Sequence, residues 1–503
     1  MSGATVGTTI EDVIQTVKSY DADADESQIR DAFSFAEEAH AGQFRATGEP
    51  YVMHCVATAM TLAGMNLPSS MIIAGLLHDV PEDTERTLED IEKRFGPEVA
   101  GMVAGITKLG KLKYRGIERY IENLRKMFLA MAQDVRVVII KFADRLHNLE
   151  TLDAIPPKKA YRVALESLQI FAPIAGRLGM GDMKGQIEDA SFRYVYPKEY
   201  EWTKMLATTT GAGKQKYLAE IMKRTKGILE HAGLKNIEVH GRAKHVYSLY
   251  RKLLKNDRDI SRIYDLNAVR IIVPTVADCY AALGVIHGTW TPLKGRIKDY
   301  IAQPKPNGYS SLHTTVFCED GEIVEFQIRT PEMHRVAEYG IAAHWQYDER
   351  KLKAASGIER AEDTRWMEQL AELNKEISDR KQYISALEEM KIDVFRDRIF
   401  VFTPKGDVID LPEDSSPVDF AYAIHTEIGD KCTSAKVNDE MTSLDHPLKS
   451  GDIVEIVVDK SRKAPNPDWL SFVKTRHARS RIRQKSQMSL RSWIKGLMPG
   501  NHG

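Results

Sequence analysis

Apolar positions recur at helical spacing through the first third of the chain. Ile29, Ala32, Phe33, Ala36 and Ala39 recur at helical spacing, the stripe that an amphipathic helix buries. Residues 10–20 read as a short helix, and residues 88–95 start another ahead of Gly96-Pro97. Residues 71–77 are a continuous apolar run, and residues 135–140 are apolar apart from Arg136, which suits buried helices. Nothing between residues 29 and 174 alternates as a strand, so this third reads as an all-α bundle. Residues 184–235 read as charged helices, a connector. The period then changes. Residues 268–273, 314–318 and 323–329 are β-rich runs. In the last, Val324, Phe326 and Ile328 share one face and Glu325, Gln327 and Arg329 the other. Residues 346–393 return to charged helical spacing, with Trp366, Leu370 and Leu373 on one stripe of a linker helix. Residues 398–406 read as a strand and turn, 419–427 as a helix and 453–458 as a final strand.

The chain has 503 residues, 43% apolar and 28% charged, enough for three or four cores at ~100–200 residues per domain. Net charge is −1, so the whole chain carries no signature of a polyanion partner, and only local patches do. One such patch is the tail from Lys460 to Gly503, with eleven Lys and Arg against one acidic residue, Asp468; Arg476, Arg479, Arg483 and Trp493 fall on a helical pattern there. Cys55, Cys279, Cys318 and Cys432 are scattered and read as reduced thiols rather than a disulfide framework or a zinc site. The N-terminus is polar and poor in basic residues, unlike a signal peptide. No apolar run approaches the ~20 residues of a membrane span. A cytoplasmic protein with no membrane partner is expected.

Candidate chemistry starts at Leu76-Leu77-His78-Asp79-Val80-Pro81-Glu82-Asp83-Thr84. An adjacent His-Asp pair offers one nitrogen and one carboxylate oxygen, a set that suits Mn, Fe or Zn. Glu82 and Asp83 follow four residues later, one turn on, where a carboxylate can handle the proton of an attacking water. Alone, such a stretch is more often a helix cap followed by a solvated acidic turn. His54 upstream and Asp144 downstream shift the balance, and Asp144, Asn148 and Thr151 share one helical face. Arg45 precedes a Gly-Glu-Pro turn; the bland reading is a surface arginine, the functional one a guanidinium on a base or phosphate.

A His, then His-Asp, then a distant Asp is the ligand pattern of the HD phosphohydrolases. Arg45, Gly48-Glu49-Pro50-Tyr51, His78-Asp79-x-x-Glu82-Asp83-Thr84 and Ala143-Asp144-Arg145-Leu146-His147-Asn148 resemble the hydrolase domain of the long RelA/SpoT homologues, the (p)ppGpp hydrolases and synthetases of the stringent response. The resemblance implies that His54, His78, Asp79 and Asp144 hold Mn. It implies that Glu82 and Asp83 activate and orient water, and that Arg45, Asn148 and Thr151 place the nucleotide. Three positions depart from the family pattern: Ala46 where a basic residue is usual, Cys55 for Pro and Gly176 for His. None is a ligand or a proton-handling position, but Ala46 removes a possible phosphate contact.

In the second third, Asp265 before one strand and Glu325 on the polar face of another suit a pair of carboxylates around Mg. Each alone reads as a turn residue or a solvated face. Their neighbours are basic and aromatic: Arg242-Ala243-Lys244-His245, Arg251-Lys252, Arg296-Ile297-Lys298-Asp299 and Lys305-Pro306-Asn307-Gly308-Tyr309. Such clusters fit triphosphate charge, and Tyr309 on its turn fits a base. This series resembles the (p)ppGpp synthetase domain. The resemblance implies pyrophosphate transfer from ATP to the 3′-hydroxyl of GDP or GTP. In that reading Asp265 and Glu325 hold Mg, Glu325 is also placed to take the hydroxyl proton, and Tyr309 stacks the guanine. Arg242, Lys244, Lys252, Arg296, Lys298 and Lys305 bind phosphates, and Asn307 and His313 complete the nucleotide site. The basic Arg296-x-Lys298-Asp299 is the form found in members with both activities.

Residues 398–458, with Asp419-Phe420-Ala421-Tyr422-Ala423-Ile424-His425 and Leu448-Lys449-Ser450-Gly451-Asp452, resemble a TGS domain. The resemblance implies uncharged tRNA as a partner through His425, and the ribosome with it. The basic tail resembles the start of the helical domain that follows TGS, and zinc-finger and ACT-type domains are expected beyond it, so the chain reads as C-terminally truncated. The expected architecture is multidomain α and α+β. It comprises an all-α HD-type hydrolase domain (1–195), a helical connector (196–235), an α+β nucleotidyltransferase-like synthetase domain (236–346), a helical linker (347–393), a small β-grasp TGS domain (394–459) and a basic helical segment (460–503). The expected function is a bifunctional enzyme that makes ppGpp and pppGpp and hydrolyses them. The rivals are a single-activity enzyme with one silent site and a tRNA- or ribosome-binding nucleotide sensor.

Overall fold

The computed structural model describes residues 7–110, 126–127, 129–131, 133–242, 245–256, 258–260, 263, 268–305, 308–318, 321–344, 398–404, 408–449, 452–459, 461–462, 464–475 and 477–485. Lys244, Asp265, Asn307, the linker around Trp366, and Arg476 and Trp493 of the tail lie outside them, as does the side chain of Arg242. The chain divides into two compact units, one within Met1–Glu376 and one within Ile377–Gly503.

The first unit opens as the expected helical bundle. Ile10–Tyr20 starts at Thr9, whose hydroxyl accepts from the Asp12 amide while Asp12 accepts from the Thr9 amide, a reciprocal cap. Leu88–Gly110 is broken at Gly96, whose φ of 85° lies in the left-handed region open to glycine. Ser69–Leu77 buries every residue from Met71 to Leu77. Each of its large side chains contributes about 1.5–3 kcal/mol by leaving water, so the helix is anchored deep and its last turn delivers His78 into the interior. Val135–Glu150 is capped by Asp134, which accepts from the Arg136 amide at 3.0 Å. It packs against Val52–Gly64 and Ser69–Leu77. Gly181–Val195 closes the bundle, and Pro197–His231 is one 35-residue connector helix.

A mixed sheet follows. Its strands are β1 Glu238–Arg242, β2 Ala268–Ile272, β3 Thr291–Pro292, β4 Lys298–Asp299, β5 Leu312–Phe317 and β6 Ile323–Arg329, in the order β1-β2-β6-β5-β3, with β4 also on β5. β2 and β6 run parallel; the other pairs are antiparallel. Val269, Ile271, Val324, Phe326 and Ile328 point to one side and form a core with Ala282 and Ile286 of the helix Val276–Thr289 and with Ile221 and Leu229 of the connector. The other side of β6 is the polar one, as its alternation predicts, yet Gln327 and Arg329 are buried. Glu338 of the helix Pro331–Tyr339 explains the burial of Arg329, reaching Arg270 at 2.7 Å and Arg329 at 3.3 Å, while Gln327 donates to Glu325 Oε1 at 2.9 Å. Tyr339 at the end of that helix donates to Gly64 O of the bundle at 3.4 Å.

The second unit holds a hairpin, β7 Arg398–Phe402 with β8 Val408–Pro412, and a three-stranded sheet in the order β10 Glu440–Thr442, β9 Cys432–Val437, β11 Val454–Val458. The helix expected over 419–427 is two helices, Pro417–Ile424 and Thr426–Lys431, parted at His425, whose backbone is extended. Asp419, fully buried, accepts from the amides of Ser416, Lys474 and Thr475. The start of the basic tail is therefore packed: Trp469, Val473, Ala478 and Ile482 share a core with Val418, Ala421, Tyr422 and Cys432.

Candidate metal centre and nucleotide site

Three elements carry the first site. Val52–Gly64 brings His54, the end of Ser69–Leu77 brings His78 and Asp79, and Val135–Glu150 brings Asp144. His54 Nε2 lies 3.1 Å from Asp144 Oδ1 and 3.5 Å from Asp79 Oδ2; His78 Nε2 lies 3.2 Å from Asp79 Oδ1 and 3.7 Å from Asp144 Oδ1. His54, His78 and Asp144 are buried and offer ligand atoms within 4.8 Å of one another. Around an ion bound at ~2.0–2.2 Å, neighbouring donors lie roughly 3 Å apart, so the set fits a divalent metal. The tautomer of His78 fits as well. Its Nδ1 donates to Gly75 O at 2.8 Å, which leaves Nε2 as the donor to an ion, and that buried atom makes no other hydrogen bond. Burial opposes charge on the His78 imidazole, but Asp79 and Asp144 outweigh it and raise its pKa to about 10. Burial likewise opposes charge on the two carboxylates, and the cationic neighbours hold both well below the usual range. The centre thus demands positive charge where these groups meet, which a divalent cation supplies.

Further side chains fix these ligands, and three of them, Tyr51, His147 and Lys141, are not among the site residues expected from the sequence. The Tyr51 hydroxyl lies 3.0 Å from Asp79 Oδ2 and 2.7 Å from Asp83 Oδ2, tying a ligand candidate to a proton-handling candidate. Its ring stacks on His40, with centroids 4.6 Å apart. His147 Nδ1 lies 2.7 Å from His54 Nδ1. Burial and the facing His54 depress its pKa to about 3, so a neutral His147 accepts from His54 and leaves His54 Nε2 for an ion. Lys141 Nζ lies 2.6 Å from Asp144 Oδ2. A tyrosine following Gly-Glu-Pro, and a lysine and a histidine three residues either side of Asp144, were the available signals.

Of the other expected residues, Asn148 donates to Asp144 Oδ1 at 2.5 Å and accepts from Arg45 Nη2 at 2.6 Å. Arg45 is held on a hairpin closed by its amide to Glu49 O at 2.9 Å, with Gly48 at φ 88° in the turn. Thr151 caps its helix and turns its hydroxyl back to His147 O at 3.2 Å. Glu82 and Asp83 are exposed on the short turn Val80–Asp83.

The second site lies across the polar face of the sheet, and strand register assembles it. Lys298 pairs with His313, His313 with Gln327 and Gln327 with Arg270. One row over, Glu325 pairs with Thr315 and with Ala268. His313 Nδ1 lies 3.1 Å from Glu325 Oε1, and His313 Nε2 lies 2.7 Å from the Tyr309 hydroxyl. A carboxylate only accepts, so Nδ1 carries the proton, and burial keeps His313 neutral by lowering its pKa. Nε2 then accepts from Tyr309. Burial opposes charge on Glu325, but His313, Gln327 and Lys252 overcome it and lower its pKa to about 2. Lys305 Nζ sits 4.9 Å from the Tyr300 ring and 5.4 Å from that of Tyr309. Arg296 and Lys298 are exposed, while Asp299 folds inward to accept from the Ile301 and Ala302 amides. His425, in the second unit, is exposed, and its Nδ1 accepts from the Glu427 amide at 3.2 Å as a helix cap.

Residues 32–181 match the HD domain, residues 241–352 the region found in RelA / SpoT proteins and residues 399–458 the TGS domain. A GTP pyrophosphokinase of Myxococcus xanthus is 45% identical over 472 residues, 93% of this chain and 61% of the relative. A probable guanosine-3′,5′-bis(diphosphate) 3′-pyrophosphohydrolase of Synechocystis sp. is 46% identical, over 92% of this chain and 60% of the relative. The bifunctional (p)ppGpp synthase/hydrolase SpoT of Escherichia coli is 42% identical over 475 residues, 94% of this chain and 67% of the relative. The chain thus spans about 60% of the first two relatives and two thirds of the third. With both sites and all three domain types present, the chain belongs to the RelA/SpoT family.

Proposed function

We propose that the chain both makes and degrades guanosine 3′-pyrophosphates. The observation that carries this reading is the presence, in one compact unit, of two separate and differently built sites, the His/Asp centre and the Glu325–His313–Tyr309 face. In the degrading direction, water attacks the phosphorus of the 3′-pyrophosphate and the bond to the 3′-oxygen breaks. His54, His78, Asp79 and Asp144 hold a divalent ion there, which we assign as Mn. Such an ion would lower the pKa of the attacking water and polarise the phosphoryl group. Glu82 and Asp83 take and return the proton, and Tyr51 keeps Asp83 facing the centre. Arg45, Asn148 and Thr151 place the nucleotide.

In the making direction, the 3′-hydroxyl of GDP or GTP attacks the β-phosphorus of ATP, and AMP leaves. Glu325, with Asp265, is proposed to hold Mg, which would neutralise phosphate charge in the transition state. The low pKa of Glu325 suits a metal-holding carboxylate better than a base. Tyr309, fixed by His313, presents a face to the guanine. Arg242, Lys244, Lys252, Arg296, Lys298 and Lys305 bind phosphates, and Asn307 completes the nucleotide site. Uncharged tRNA and the ribosome are proposed partners of the second unit, through His425 and the basic tail. No helix among the described residues is long and apolar enough to cross a membrane, and a cytoplasmic location is proposed on that and on the substrates.

The test is a product analysis on the purified chain: ATP with GDP or GTP and Mg, then ppGpp with Mn. AMP with ppGpp or pppGpp in the first, and GDP with pyrophosphate in the second, are expected; either reaction missing leaves a single-activity enzyme. Tyr51→Phe is expected to weaken Mn binding roughly 10- to 100-fold, the usual cost of losing a group that orients a ligand; titration of the metal-free chain with Mn checks it. Tyr309→Ala is expected to cost ~1–3 kcal/mol of guanine-nucleotide binding, the worth of a base–aromatic stack. KM for GDP rises accordingly, ppGpp hydrolysis stays unchanged, and steady-state kinetics of both reactions read it out.

A further inference from the structure

The helix Val246–Lys255 carries Lys252, whose charge acts on the Glu325 carboxylate. Its other sides are held from outside the sheet. Leu249 and Leu253 pack on Trp202 and Leu206 of the connector helix. Tyr247 and Tyr250 lie against Phe192 of Gly181–Val195, with centroids 5.1 and 4.9 Å apart. The start of the helix is unusual. Its N-cap, His245, makes no side-chain cap to the helix. The cap comes from another element: Asp189 Oδ1 accepts from the Tyr247 amide at 2.9 Å, and Asp189 Oδ2 accepts from His245 Nδ1 at 2.8 Å. The His245 ring lies over Gly185, one turn earlier on the same helix, where a Cβ would collide with it. Gly181–Val195 itself packs on the metal-bearing helix Val135–Glu150, and its Arg193 reaches Glu150 O at 3.4 Å.

We infer that Asp189 is a positioning residue for the synthetase. It is a carboxylate of the helical bundle that caps the helix presenting Lys252 and sets where that ammonium meets the ATP phosphates. This rests on the proposed synthetase reading. The physical reason is that the first amides of a helix need acceptors, and that a carboxylate there also meets the positive end of the helix dipole. Without Asp189, the first turn loses its acceptor and the His245 ring loses its tie. The ammonium two turns later is then carried on a helix whose entry is no longer fixed, although no atom of the phosphate site has changed.

The experiment uses the whole chain with Asp189→Ala, Asp189→Asn and Gly185→Ala. Asparagine keeps an oxygen for the Tyr247 amide; Gly185→Ala leaves Asp189 in place and displaces His245. Asp189→Ala is expected to raise KM for ATP and to weaken a non-hydrolysable ATP analogue roughly 3- to 30-fold, the effect of a lost N-cap. KM for GDP and ppGpp hydrolysis remain within twofold, and amide exchange quickens in residues 246–250. Asp189→Asn restores most of the loss, and Gly185→Ala weakens the analogue in the same direction. Unchanged analogue affinity in Asp189→Ala, or an Asn variant as impaired as the Ala variant, overturns the inference. A chain in which the wild type makes no ppGpp overturns the synthetase reading instead, while analogue binding and amide exchange still decide the role of Asp189. If Asp189→Ala fails to fold, Gly185→Ala with normal analogue affinity overturns the inference by itself.

Discussion

Asp79→Ala is expected to lower ppGpp hydrolysis by about 10³-fold, since a lost metal ligand forfeits several kcal/mol of charge stabilisation and each ~1.4 kcal/mol is tenfold. Asp79 is the better choice among the four ligand candidates. It sits between His54 and His78 and accepts from Tyr51, and when it goes Asp144 still faces both histidines. Removing Asp144 instead strands the Lys141 ammonium, now paired at 2.6 Å, as a largely buried charge without that partner. That alone costs roughly 3–5 kcal/mol of stability and confuses the result. Parallel assays of ppGpp hydrolysis with Mn and of ppGpp formation with Mg check the prediction. Synthesis is expected to stay near the wild-type rate. Loss of both activities in a chain that keeps its fold rules out two independent sites.

The complementary expectation is that Glu325→Gln abolishes synthesis, by about 10³-fold on the same reasoning, and spares hydrolysis. Glutamine has the same shape and still offers an oxygen to His313 Nδ1, so the arrangement that orients Tyr309 survives and only the charge is lost. The folded state does not depend on that charge for packing, because Glu325 lies on the polar face and the sheet core is on the other side. A large fall in kcat with little change in KM for GDP marks a carboxylate that acts on the reacting phosphates. A rise in KM for GDP with kcat intact assigns Glu325 to guanine binding instead.

Much of this was legible in the sequence because it is local or periodic. The alternation in residues 323–329 predicted which side of β6 is apolar, and the apolar run 71–77 predicted a buried helix ending at His78; both follow from spacing along one element. The spacing of Asp144 and Asn148 likewise placed them on one helical face. Glu325 and His313 were both named, but that they touch follows only from the β5–β6 register, which sets Thr315 opposite Glu325.

What the sequence by itself determined was the period of each element, its polar and apolar faces, and the residue types able to hold a metal or a phosphate. The tertiary structure decided which side chains meet. His54 and His147 touch across 93 residues of chain, and Asp189 caps a helix 58 residues away at Tyr247; no local pattern encodes either contact. The structure also decided burial. Arg329 alternates as a solvated face would, yet it is buried against Glu338 of the helix Pro331–Tyr339. The physical reason is the same in each case. Hydrogen-bonded periodicity is a property of a few neighbouring residues, whereas exposure, charge state and ligand geometry depend on whatever the rest of the chain packs against them.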